Sequence, residues 1–132
     1  MIIDASVALK WLAPEEGSDR AEALLARHDL MAPALLHSEV ANGLQKKARR
    51  GEFGNDPDLT GLVENLASFV QTIDEVPVIG RALGMAAKLG HSVYDCVYLA
   101  LAEQLGRELV TADVRFLTKV EASDMADLVR AL

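Results

Sequence analysis

Two aspartates bracket the most apolar stretch of this chain. Asp95 lies near its start and Asp113 follows its end. The apolar residues between them predict a helix over residues 93–105 that is buried on most of its faces, followed by a short strand over residues 108–111. Two acids framed in this way either cap helices or line a site that binds a cation.

Structural capping is the first interpretation of both aspartates. Ser92 and Asp95 have the spacing of a capping box, with Asp in place of the usual Glu or Gln. Asp113 suits the N-cap of a short helix that runs through residues 116–117. Taken singly, each aspartate favours capping over function. Other acids in the chain therefore decide between the two interpretations.

A third acid lies in a helix predicted over residues 34–50. Glu39 flanks the apolar stripe of this helix, and Asn42 shares the face from which Glu39 projects. The helix ends in a basic cluster made of Lys46, Lys47, Arg49 and Arg50. This cluster either interacts with the helix C-terminal dipole on a solvated surface or contacts a phosphate backbone. The candidate backbone contacts are Lys46, Arg49 and Arg50.

Short strands alternate with helices along the chain. Strands are predicted over residues 1–4, 30–32, 73–78 and 108–111. Helices are predicted over residues 6–12, 18–28, 34–50, 59–70, 79–89, 93–105 and 125–132, with a short one after Asp113 and a polar loop over 51–58. The alternation predicts a single α/β domain over residues 1–132, with a short parallel sheet and helices on both faces.

Asp4 is the fourth acid, and it ends the first predicted strand as Asp113 follows the last one. In parallel sheets, ligands bind outside the carboxyl ends of the strands where the strand order reverses. If these two strands are neighbours, Asp4 and Asp113 meet in one crevice, where Glu39 and Asp95 complete a ring. Convergence of four acids through capping alone is the weaker explanation, so we predict a site.

Electrostatic repulsion indicates what such a ring must contain. Two carboxylates about 6 Å apart repel by roughly 3 kcal/mol at an effective dielectric constant of 20. Protonation or bound cations must relieve this repulsion. We assign no role to the scattered His28, His37 and His91, so the predicted donors are all oxygens. Such a set suits Mg²⁺ or Mn²⁺ rather than Zn²⁺.

The composition restricts the class of protein. Thirteen basic and twenty acidic residues give a net charge of −7, which argues against a protein that coats nucleic acid but not against a nuclease whose acids bind cations. The single cysteine, Cys96, excludes an intramolecular disulfide and suggests a reducing compartment. The N-terminus does not resemble a signal peptide, and the sequence has no apolar run long enough to span a membrane. We therefore expect a cytoplasmic protein.

Four segments together give the chain a clear resemblance to the PIN domains, and within that group to the VapC toxins of toxin–antitoxin pairs. The segments are DASVALKW from Asp4, Glu39 with Asn42, YDCVYLALA over 94–102, and TAD over 111–113. The resemblance covers essentially the whole chain, and the four acids follow the family's order and approximate spacing. Cys96 stands where the family more often has alanine, which is a change between two small residues.

The resemblance implies a metal-dependent endoribonuclease, usually a homodimer, that a cognate antitoxin holds inactive and that inhibits growth when released. It implies that Asp4, Glu39, Asp95 and Asp113 bind one or two Mg²⁺ or Mn²⁺ ions, and that Ser6 and Thr111 support them through hydrogen bonds. Metal-activated water would then attack the phosphate and leave a 5′-phosphate and a 3′-hydroxyl.

Three alternatives remain open at this point. The same scaffold could serve as a non-catalytic binding module, or as a PIN nuclease in RNA processing without an antitoxin. A receiver-like phosphoryl-transfer domain would also have an acidic Mg²⁺ pocket. It normally needs paired acids after the first strand and a lysine after a late strand, whereas Ala5 follows Asp4 and no lysine follows Thr111 until Lys119. A P-loop motif is absent.

Overall fold

Over residues 1–55 and 57–132, five short strands form one sheet in the order β3-β2-β1-β4-β5, and every pairing is parallel. The strands are β1 (Ile2–Ile3), β2 (Met31–Pro33), β3 (Gln71–Ile73), β4 (Leu109–Thr111) and β5 (Val129–Ala131). The computed structural model describes residues 1–55 and 57–132, so part of the predicted polar loop over 51–58 lies outside the described residues. The predicted class, a short parallel sheet flanked by helices, is confirmed.

Among the residues that the structure describes, seven α-helices connect and cover the strands. They are α1 (Ala5–Leu12), α2 (Ser18–Leu24), α3 (Leu35–Arg49), α4 (Leu59–Leu66), α5 (Ile79–Leu89), α6 (Val93–Leu105) and α7 (Val114–Glu121). Two 3₁₀ turns, Val76–Val78 and Ala126–Leu128, precede α5 and β5. Of the helices in the described part of the chain, none has the length and apolar character that crossing a membrane requires.

Helix α6 lies at the centre of the fold, as its apolar sequence predicts. It packs on β1, β2 and β4 and against α5, and its residues from Cys96 to Ala102 are all buried. Ser92 caps its start by accepting a hydrogen bond from the backbone N–H of Tyr94, and Gly106 ends it in the left-handed conformation, with φ of 60°. Neighbours on several sides explain why this helix has no polar stripe.

The strand order reverses between β1 and β4. From β1 the chain first builds outward to β2 and β3, and later returns to place β4 and β5 on the other side. The register pairs Ile3 with Val110, so the residues that follow these two strands emerge side by side. The prediction that the strand before Asp4 lies beside the strand before Asp113 is therefore confirmed: β1 and β4 are neighbours. A crevice forms at their carboxyl ends.

Two predicted elements are wrong. The strand predicted over 73–78 is instead β3, which ends at Ile73, because Pro77 has no N–H for a strand ladder and lies in a 3₁₀ turn. The helix predicted over 125–132 is instead a 3₁₀ turn followed by β5, which pairs with β4. A short apolar segment can form either a helix or a strand. Here it forms a strand because it can pair with the free edge of β4. The helices predicted over 18–28 and 59–70 end early, at Leu24 and Leu66.

Candidate active site

Asp4 occupies the crevice between β1 and β4. Its carboxylate caps α1 by accepting a hydrogen bond from the Val7 N–H at 3.2 Å, and only 7% of the residue is exposed. Ser6 Oγ donates to Asp4 Oδ1 at 2.5 Å, and Thr111 Oγ1 donates to Asp4 Oδ2 at 2.5 Å. A carboxylate accepts about four hydrogen bonds, so these three leave roughly one lone pair of Oδ2 for a cation.

The same two hydroxyls join the segments that follow β1 and β4. Ser6 Oγ accepts a hydrogen bond from the backbone N–H of Ala112 at 2.8 Å, and Thr111 Oγ1 accepts one from the N–H of Asp113 at 3.0 Å. Each hydroxyl thus uses its proton on Asp4 and a lone pair on the backbone that leads to Asp113. The hydrogen bonds fix the position of one acid relative to the other.

Asp113 caps α7. Its Oδ1 accepts a hydrogen bond from the backbone N–H of Phe116 at 2.9 Å. The capping interpretation is therefore correct for Asp113, as it is for Asp4. One oxygen suffices for the cap, and the carboxylate lines a surface pocket of about 420 Å³ together with Asp95. Capping and membership of a site are compatible here.

Asp95 is not part of the predicted capping box. It lies in the first turn of α6, but its Oδ2 is 2.7 Å from Nε2 of His91. His91, Asp95 and Asp113 each offer one ligand atom, and these three atoms lie within 4.8 Å of one another. His91 had no predicted role. The four-residue spacing to Asp95 was the available signal. His91 lies in the linker between α5 and α6, with Gly90 before it and Ser92 after it, so helical periodicity did not apply.

Glu39 faces the site from α3 and contacts α6. The hydroxyl of Tyr98 donates a hydrogen bond to Glu39 Oε2 at 2.5 Å, and Tyr98 is otherwise buried, with 1% of its surface exposed. Tyr98 follows Asp95 by three residues, so both project from one face of α6. Tyr98 belongs to the YDCVYLALA segment that carries the family resemblance, but its contact with Glu39 was not predicted.

The raised pKa values of Asp4, Glu39 and Asp95 indicate that these three acids lie within electrostatic range of one another, and Asp113 lies within range of Asp95. Burial raises the pKa of Asp4 to about 6, and the charge of Asp95 adds to the effect. Burial is also the main cause of the raised pKa of Glu39, with Asp95 and Asp4 contributing repulsion. The pKa of Asp95 is raised by burial and then by the charge of Asp113, against the lowering effect of His91. The pKa of Tyr98 is strongly raised, chiefly by burial, which keeps its hydroxyl a donor.

The supporting residues on α3 lie at increasing distance from the acids. Asn42 is exposed and lines a pocket of about 240 Å³ with Leu35, Ser38, Glu39 and Tyr94. Lys46, Arg49 and Arg50 are exposed and together line a separate surface pocket at the end of the helix. The helical rise puts Arg50 roughly 16 Å along the axis from Glu39. Lys47 instead forms ion pairs with Glu15 and Glu52, at 2.7 and 3.3 Å, which give it a structural partner.

The donor set of the site suits a divalent cation. Glu39, Asp95 and Asp113 each have one carboxylate oxygen in a hydrogen bond to a protein donor. Among residues 1–55 and 57–132, the second oxygen of each makes no hydrogen bond. Divalent cations with hard oxygen ligands would use such oxygens and would relieve the repulsion among the acids. The residues present therefore fit a metal centre.

Comparisons with known proteins agree with the fold. The family model described as PIN domain matches residues 1–121. A Pyrobaculum aerophilum protein named ribonuclease VapC3 is 35% identical, over 92% of this chain and 95% of that protein. A crystal structure from the same organism superposes with a TM-score of 0.73 at 22% identity, covering 98% of this chain and 87% of that one. A chain of a toxin–antitoxin complex from Klebsiella pneumoniae superposes with a TM-score of 0.68 at 16% identity, covering 98% of this chain and 94% of that one. The chain therefore belongs to the PIN-domain family and is a VapC-like member of it.

Proposed function

We propose that this protein is a metal-dependent endoribonuclease, the toxin of a toxin–antitoxin pair. One observation carries the proposal: four acids from separate elements converge at the switch point of the sheet. Three of them have a carboxylate oxygen that makes no hydrogen bond to any residue in the described part of the chain. The relative named ribonuclease VapC3 supports RNA as the substrate. A toxin that cleaves cellular RNA would act in the cytoplasm.

Asp4, Glu39, Asp95 and Asp113 would hold one or two Mg²⁺ or Mn²⁺ ions. When bound, such ions activate water and neutralise charge on the attacked phosphate and the leaving oxygen. Ser6 and Thr111 hold the Asp4 carboxylate from both sides, and Tyr98 holds Glu39. Because these donors bind the acids before any cation arrives, the carboxylates need little rearrangement on binding. The raised pKa values mean that cation binding competes with protons at these acids.

The RNA backbone would run from the four acids along one face of α3 toward its C-terminal end. Asn42 and Lys46 follow Glu39 by three and seven residues, which keeps them on the side of the helix that Glu39 occupies. Lys46, Arg49 and Arg50 are exposed, and their charges contrast with the net charge of −7 of the whole chain. Phosphate contacts of this kind position a nucleic acid without reading its sequence.

An apolar groove beside the acids suits the antitoxin. The groove has a volume of about 470 Å³ and is lined mainly by Leu35, Ile79, Val93, Tyr94 and Val97. Tyr94, which is 63% exposed, also lines the pocket next to Glu39. An antitoxin segment with apolar side chains in the groove and an Arg or Lys near the acids would block the site. The homodimer that the family resemblance implies stays a prediction.

A non-catalytic binding module is the second candidate on this scaffold, and metal-dependent cleavage separates it from a nuclease. A PIN nuclease in RNA processing would cleave RNA but would have no antitoxin. The receiver-like alternative lacks support because Lys119, the first lysine after Thr111, donates to the carbonyl of Gly90 at 2.6 Å rather than to an acid.

The first prediction is cleavage of RNA that depends on Mg²⁺ or Mn²⁺. Asp95→Asn and Asp113→Asn should lower the rate by more than about 100-fold, beyond the usual effect of losing an outer-shell partner, because each removes a charged ligand. Asp127→Asn, at an exposed turn, is the matched control and should keep the rate. Total RNA incubated with purified protein, followed by mapping of the ends, measures both rate and chemistry. Activity in excess EDTA, or cyclic phosphate ends, would contradict the mechanism.

The second prediction concerns the basic end of α3. Replacing Lys46, Arg49 and Arg50 together by alanine should weaken RNA binding and reduce the slope of log affinity against log salt by up to about 2, since each lost single-strand phosphate contact removes roughly 0.7. The slope is measured by fluorescence anisotropy with a labelled RNA. All variants also carry Asp113→Asn, which impairs cleavage. Arg107→Ala, another exposed basic site, should leave it unchanged. An unchanged slope in the triple variant would exclude the contact.

The third prediction concerns the groove. Ile79→Asp combined with Tyr94→Asp should abolish co-purification with the protein encoded beside this gene, because the two charges would have to be buried against apolar antitoxin side chains. Leu83→Asp is the matched control, since Leu83 is 60% exposed on the same helix but does not line the groove. If both variants co-purified equally with that protein, the antitoxin would have to bind a surface other than this groove.

The fourth prediction is a pH dependence of stability without metal. The pKa of Asp4 is raised from 3.8 to about 6 in the folded protein, so the folded state holds an extra proton. This stabilisation is fully present below pH 4 and is lost as pH rises through 6, amounting to about 3 kcal/mol. Urea unfolding in EDTA should therefore show this decrease, and Asp4→Asn should make it smaller, leaving the part that comes from the raised pKa values of Glu39 and Asp95. Mn²⁺ should stabilise the wild type more at pH 7 than at pH 5. A wild-type stability that rises from pH 4 to 6 would contradict the assignment.

A further inference from the structure

His91 is held rigidly by the end of α5. Gly90 adopts the left-handed conformation, with φ of 58°, and the N–H of His91 donates to the carbonyl of Ala86 at 3.2 Å. These are the features of a Schellman motif, which fixes the backbone just beyond a helix. The His91 side chain is only 10% exposed. Its direction is therefore set by the fold rather than by solvent.

Helix α7 holds the imidazole against the acids. The ring stacks on Phe116 with 4.8 Å between the ring centroids and 29° between their planes. Lys119, one turn further, binds the carbonyl of Gly90. Asp113 caps the same helix through the N–H of Phe116. Phe116 thus contacts both the imidazole and Asp113, so helix α7 holds both potential ligands.

The donor atoms have the spacing of ligands around one ion. Nε2 of His91 is 2.7 Å from Oδ2 of Asp95, and the ligand atoms of His91, Asp95 and Asp113 all lie within 4.8 Å of one another. Ligands about 2.0–2.1 Å from an octahedral ion are roughly 3 Å apart when adjacent and about 4 Å apart when opposite. The three atoms could therefore surround a cation with small movements.

We propose that His91 is a direct nitrogen ligand of the ion bound by Asp95 and Asp113, and that this position prefers Mn²⁺ or a later first-row transition ion to Mg²⁺. Imidazole is a common ligand of transition metals, whereas Mg²⁺ requires oxygen donors. The inference rests on the proposed metal centre and adds the chemical character of one of its positions. It replaces the all-oxygen ring of the sequence analysis with a mixed donor set.

Pulsed electron paramagnetic resonance of the Mn²⁺-loaded protein tests the ligand directly. The wild type should show a ¹⁴N coupling to Mn²⁺ that changes to ¹⁵N when histidine is labelled, and His91→Gln should lose it. His28→Gln and His37→Gln are matched controls that should keep the coupling, and they identify His91 by elimination even if His91→Gln does not fold. Bound Mn²⁺ without a nitrogen coupling would overturn the inference and leave the proposed function standing. Failure of the wild type to bind Mn²⁺ would overturn both.

Calorimetric titration separates a ligand from a residue that only orients Asp95. A direct ligand predicts that His91→Gln weakens Mn²⁺ binding by more than about 100-fold while Mg²⁺ binding changes by less than about tenfold. An orienting role predicts equal losses for the two ions, of the roughly 10–100-fold size typical of outer-shell partners, and would overturn the proposal. Neither measurement depends on the activity of the loaded enzyme.

Discussion

The geometry of the site depends on the burial of one carboxylate, that of Asp4, between two strands. A buried carboxylate is strongly unfavourable unless hydrogen bonds or charges compensate it. Ser6, Thr111 and the Val7 N–H supply three hydrogen bonds, and the two hydroxyls also bind the backbone that leads to Asp113. The requirement to satisfy one acid therefore fixes the position of the next.

Capping and chemistry use different parts of the same carboxylates. Asp4 and Asp113 each cap a helix, and the partial positive charge of a helix N-terminus favours an anion there. This interaction offsets part of the repulsion that converging acids create. A fold in which helices begin just after the strands can therefore collect several acids at one edge of its sheet without losing its stability. A structural role for Asp4 and Asp113 is therefore compatible with the proposed functional one.

Helix α6 connects the remaining acids to this edge. Its apolar faces bury it against the sheet and α5, while Asp95 and Tyr98 on its remaining face point toward the site. Tyr98 reaches Glu39 on α3, which joins two helices that contribute to one centre. Because α6 packs closely on several sides, it holds Asp95 and Tyr98 rigidly. The donor contacts around each acid make the arrangement largely preformed.

Local patterns in the sequence determined the class of fold, the helix α6 and the four acids. Apolar periodicity and the alternation of strands and helices carry that information within short stretches, and the switch-point rule extends it to the meeting of Asp4 and Asp113. Only the tertiary structure showed the contact of His91 with Asp95, the contact of Tyr98 with Glu39 and the strand β5. Tyr98 meets an acid 59 positions away, and β5 forms because β4 offers an unpaired edge. His91 lies between two helices, where no period predicts a direction. These features depend on contacts between distant segments, which local patterns do not encode.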